Sequence, residues 1–68
     1  MKEFLVCYIL DNDIKREKMI KEFDALKAEV VHELLEKINT NRFFLSKGEQ
    51  GDFLVNSSLV RYIRVTEK

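Results

Sequence analysis

Cys7 and His32 are the only thiol and the only imidazole in the chain, so nucleophilic or metal chemistry would have to start from them. A reactive thiol needs a helix N-terminus, a basic neighbour or some exposure. Cys7 lies inside the apolar run EFLVCYIL at residues 3–10, where a free cysteine behaves as a small buried hydrophobe. His32 falls among Glu29, Glu33 and Glu36 on the polar side of a predicted helix, the setting of a solvated histidine. One cysteine and one histidine supply only half of a tetrahedral zinc shell. Asp11 and Asp13 alternate like the start of a calcium loop, yet no glycine or glutamate follows at the required spacing. Their expected role is helix capping. There is no Gly-rich phosphate loop, nucleophile elbow or metalloprotease helix motif. These residues predict a protein that is not an enzyme and that holds no cofactor or metal.

Two groups of charged residues offer binding chemistry instead. Lys15, Arg16 and Lys18 fall in the first turns of the predicted helix, where cations oppose the helix dipole. They form a candidate anion-binding group, set against the plainer reading of a solvated face with i,i+4 ion pairs. Arg42, Arg61 and Arg64 stand among Phe44 and Tyr62 in segments that read as strands. Arginines interleaved with aromatics suit a protein interface, or single-stranded nucleic acid with bases stacked on rings. The plain alternative is that the aromatics are core and the arginines solvated.

The elements that must position these groups follow from hydrophobic periodicity. Phe4 to Leu10 is apolar on both faces, as in a strand covered on both sides. From Ile14 to Ile38 the period becomes helical, with Met19, Phe23, Leu26, Val30, Leu34 and Ile38 forming one stripe. Ile20, Lys27, Val31 and Leu35 border that stripe and form a candidate self-association surface. Residues 42–46, 53–55 and 59–66 read as strands, and 47–52, with both glycines, as a hairpin loop. Asn56–Ser58 fits either a tight turn or the middle of one bent strand. The predicted fold is a single α+β domain over residues 1–68, of order β-α-β-β(-β). It is a two-layer sandwich, one long helix packed on a small mixed β-sheet of three or four strands.

Composition sets the class. The chain has 68 residues, so it makes one domain of marginal stability, and its lone cysteine excludes an internal disulfide. Twelve basic and twelve acidic residues give no net charge, which removes the simplest argument for a nucleic-acid binder. The halves differ: residues 1–39 hold seven Lys/Arg against nine Asp/Glu, and residues 40–68 five against three. No apolar run is long enough to cross a membrane and no export signal precedes the first strand, so a cytoplasmic protein without a membrane partner is expected. The two-sided apolar strand and the wide helical stripe predict a homodimer. The expected function is a regulatory or inhibitory interaction protein that binds another macromolecule, of a size that suits a bacterial or phage accessory factor. The alternative is a nucleic-acid-binding regulator.

Overall fold

A computed structural model describes residues 1–48 and 51–68. Among them the element order is β1 (Lys2–Ile9), β2 (Ile14–Lys21), α1 (Lys27–Thr40), β3 (Phe43–Gly48), β4 (Gly51–Asn56) and β5 (Tyr62–Glu67). A 3-10 turn at Ser57–Leu59 separates the last two strands, so within Asn56–Ser58 the strand ends at Asn56 and the turn begins at Ser57. The strands form two antiparallel sheets, one ordered β2-β1-β5 and one made of β3 and β4. Of the predicted hairpin loop at 47–52, Glu49 and Gln50 lie outside the described residues.

This corrects the predicted architecture. Residues 14–21, expected as the first third of a long helix, form a strand paired with β1 along its full length. The sheets are antiparallel and two, where one mixed sheet was expected. Long charged side chains such as those of IKREKMIK have only weak backbone preferences, and pairing with an apolar strand overrides them. The Leu10–Asp13 segment, expected to cap a helix, is the hairpin connection: Leu10 N–H donates to Asp13 O at 2.9 Å. Asp13 also accepts from Ile14 N–H at 2.8 Å and pairs with Lys15. The Lys15 ammonium, and then the Ile14 N–H, hold the Asp13 carboxyl below the usual carboxylate range. Alternation along β2 was concealed because two of its inward positions are polar, Lys15 and Glu17.

The true helix is shorter, and its N-cap, Leu26, has no side-chain acceptor to offer the first turn. Glu29 in the first turn accepts from Leu26 N–H at 2.8 Å, and Lys37 lies in the last turn. Phe23 and Leu26, placed in the predicted apolar stripe, precede the helix and are exposed. Val30 and Leu34 are the buried pair of α1, one turn apart, and join Phe4, Val6, Tyr8, Phe44 and Val55 in the core. Helix and β3–β4 hairpin therefore cover the same face of β1, the face bearing Phe4, Val6 and Tyr8.

A buried polar contact joins the two sheets. Tyr8 Oη and Ser46 Oγ each donate to Glu17 Oε1 at 3.1 Å. Tyr8 and Phe44 rings pack at 5.2 Å between centroids. The hairpin closes where Gly48 faces Gly51. A Cβ on Gly48 would lie 2.6 Å from the Phe53 ring, and Gly51 has φ 134°, so both positions favour glycine.

Leu34→Ala should destabilise the fold by about 2–5 kcal/mol in urea unfolding, since Leu34 is fully buried. A second expectation concerns pH. Burial, and then the Glu17 carboxylate, raise the Tyr8 phenol far above its usual value of 10.0. The folded state then holds this proton more tightly than the unfolded chain. The stabilisation is complete below the unfolded value and is lost as pH rises beyond about 10. The stability gap between the native protein and Tyr8→Phe should be constant at neutral pH and shrink above that point in urea titrations.

Candidate binding face

Residues directly opposite in an antiparallel ladder share a face. With Phe4, Val6 and Tyr8 turned to the core, the other face of the three-stranded sheet carries Leu5, Cys7 and Ile9 along its centre. The register flanks each of them. Leu5 lies between Lys18 on β2 and Thr66 on β5, Cys7 between Arg16 and Arg64, and Ile9 between Ile14 and Tyr62. The flanking residues are exposed, while Leu5, Cys7 and Ile9 are half-buried and take no part in the core cluster. The result is an open face with an apolar centre, three cations and one tyrosine.

A cleft of about 530 Å³ continues this face around β2. Lys15, Arg16, Lys18, Lys47 and Lys68 line it together with Leu5 and Phe53, and no carboxylate lines it among the described residues. Lys15 stands 4.3 Å from the centre of the Phe53 ring and 2.8 Å from Asp13 Oδ2. Lys68 lies 3.7 Å from Glu3. Arg16 and Lys18 make no ion pair among the described residues. Glu29, Glu33 and Glu36 are exposed on α1, which packs on the core side. Helix α1 carries Lys27 and Lys37 beside these carboxylates, while Arg16, Lys18 and Arg64 stand together on the open sheet face.

The predicted groups are redistributed. Arg16 and Lys18 share the open face with Tyr62 and Arg64, although they were assigned to separate sites. Lys15, on the alternate side of β2, reaches the cleft only. None of the three stands at a helix N-terminus, so the dipole argument for an anion site there is withdrawn. Phe44 is buried in the core and offers no interface. Arg61 precedes β5 and donates to Asp11 at 2.5 Å, fastening the β1–β2 turn. That carboxylate raises the Arg61 guanidinium further and keeps it charged. Arg42 lies between α1 and β3, away from both strands that flank β1.

The predicted self-association surface is also broken up. Ile20 is on β2, whereas Lys27, Val31 and Leu35 are on α1, so they do not border one helical stripe. His32 is exposed on the acidic side of α1, and no group of three metal-ligating side chains occurs among the described residues. Cys7, expected in the core, is half-buried on the open face. Lys47 and Lys68 were missed, because nothing local to either residue signals the cleft that tertiary folding creates.

No helix among the described residues is long and apolar enough to cross a membrane. No protein-family model, curated protein or solved structure matches the chain.

The two arginines beside Cys7 should favour anionic reagents at the thiol. The ratio of iodoacetate to iodoacetamide rate constants should exceed that of a small free thiol at low salt. It should fall towards the free-thiol value in Arg16→Ala/Arg64→Ala. An unchanged ratio in that variant would place the arginines elsewhere.

Proposed function

We propose that the chain is a non-catalytic binding module that holds single-stranded nucleic acid on the open face of β2-β1-β5. The carrying observation is the row Arg16–Cys7–Arg64, beside Tyr62, on a sheet face that takes no part in the core. Cations on both flanks suit phosphates, and Tyr62 with the apolar centre suits unstacked bases. A flat three-stranded face fits a duplex poorly, since the major groove admits a helix or a two-stranded ribbon. The cationic cleft extends the track beyond β2.

Charge also separates this reading from self-association through the same face. A two-fold contact brings a patch against its own copy, which here would oppose Arg16, Lys18 and Arg64 to one another. An anionic polymer meets no such repulsion. The absence of a nucleophile–base pair in the sequence supports a non-catalytic role, and a reduced single thiol suits the cytoplasm.

Fluorescence anisotropy with short single-stranded DNA and RNA, over a salt series, tests the proposal. Three phosphate contacts by Arg16, Lys18 and Arg64 give a slope of log K against log salt of about −2. Arg16→Ala/Arg64→Ala should flatten that slope, and Tyr62→Ala should weaken binding by about 1–3 kcal/mol if one base stacks on the ring. Bound oligonucleotide should also slow alkylation of Cys7. Duplex binding of equal strength, or full affinity in the double arginine variant, would overturn the proposal. Tight binding of an acidic peptide with no response to oligonucleotides would assign the face to a protein partner.

A further inference from the structure

The β3–β4 hairpin presents a second surface, independent of the nucleic-acid reading. It is an isolated two-stranded sheet, an arrangement that is marginal in water without further strands or packing. Its inner face is used by Phe44, Ser46 and Val55. Its outer face exposes Phe43, Leu45 and Leu54, with Leu54 71% exposed and directly opposite Leu45.

Hydrogen-bond parity shows where the backbone of β4 points. Ser57 N–H donates to Arg42 O at 2.9 Å, continuing the β3–β4 register with a hydrogen-bonded pair. Pairs alternate in an antiparallel ladder, so Leu45–Leu54 is a non-hydrogen-bonded pair. Leu45 O agrees: it turns away from β4 and accepts from Lys37 Nζ at 3.0 Å. The N–H and C=O groups of Asp52, Leu54 and Asn56 therefore point off the free edge of β4. Among the described residues no backbone group outside the β3 ladder pairs with them.

Exposed edges are normally blunted by lysine, proline or inward charge. β2 carries Lys15, Arg16, Lys18 and Lys21, whereas β4, reading GDFLVN, has no cation and no proline. We infer that two copies of this chain pair antiparallel through their β4 edges, with Leu54 facing Leu54 across the two-fold axis. In that register the outward groups of Leu54 meet their own copies, and those of Asp52 meet Asn56 of the second copy. Side chains stay on matching faces, because the paired positions share parity. The charges permit it, since Asp52 faces an amide and Lys47 is already opposite Asp52 within the hairpin. The two hairpins become one four-stranded sheet, and the exposed leucines join into one apolar strip. A second copy suits this surface better than a charged partner because nothing at the centre of the edge selects for charge.

Sedimentation equilibrium of the full chain over a dilution series tests the inference. The expected result is a reversible dimer of twice the 8.1 kDa chain mass, little affected by salt. Leu54→Lys should give a monomer whose urea midpoint matches that of the native chain diluted until it is monomeric, since the side chain is exposed in the single chain. Leu59→Lys, exposed but outside the hairpin, should dimerise as the native chain does. Exchange of the Leu54 amide should slow with rising protein concentration. A native chain that stays monomeric to about 1 mM, a salt-dissociated dimer, or a Leu54→Lys dimer would overturn the inference. These outcomes are read without nucleic acid, so failure here is distinct from failure of the binding proposal.

Discussion

A carboxylate occupies a place where a core would ordinarily hold hydrocarbon. Glu17 points inward from β2 and accepts from Tyr8 of β1 and from Ser46 of β3. An unpartnered buried carboxylate would cost several kcal/mol, whereas hydrogen bonds to a charged group contribute about 1.5–3 kcal/mol each. No buried side-chain polar atom lacks a partner among the described residues. The contact therefore fixes position as well as supplying energy. A one-residue slip of β3 would turn Ser46 outward and leave Glu17 short of a donor. Among the described residues the hairpin has no backbone ladder to β2, so side-chain contacts set its placement: this bond, the Tyr8–Phe44 packing, Lys15 over Phe53 and Lys37 on Leu45 O.

The same residue explains why part of the fold was hard to read. The apolar β1 and the aromatic β3 announce themselves through composition. β2 does not, because Glu17 and Lys15 occupy inward positions that alternation would assign to apolar side chains. Lys15 lays its stem towards Phe53, and Glu17 is satisfied by donors from distant parts of the chain. Met19 and Ile20 at helical spacing from Phe23 then mimic an amphipathic stripe that the structure does not contain. Val30, Leu34 and Ile38 belong to a real helix, so the periodicity was sound only from Lys27 onward. The open face was half legible: each of Arg16, Lys18, Tyr62 and Arg64 stood out by type. Their union depends on β2 being a strand, and that information lies in tertiary pairing.

Once β2 is a strand, the first strand's two apolar faces acquire different fates. Phe4, Val6 and Tyr8 are covered by the helix and the hairpin. Leu5, Cys7 and Ile9 are left with flanking side chains only. Seven hydrophobic residues are buried among the described residues, a small core for a chain with a single cysteine and so no internal disulfide. The solvent-accessible surface is 4986 Å², against roughly 4,500 Å² expected for a compact monomer of this mass.

Those two outer faces differ in what they can meet, and charge is the reason. The β2-β1-β5 face holds Arg16 and Lys18, which make no ion pair among the described residues, with Arg64 across the sheet, a pattern that disfavours contact with its own image and favours anions over a Debye length of about 8–10 Å. The β3–β4 face is locally neutral and carries unpaired backbone groups at its edge, for which an identical strand is the closest match in register and chemistry. A chain this small has little surface to spare, and the two proposed contacts, with an anionic strand and with a second copy, would use different sheets and so would not compete.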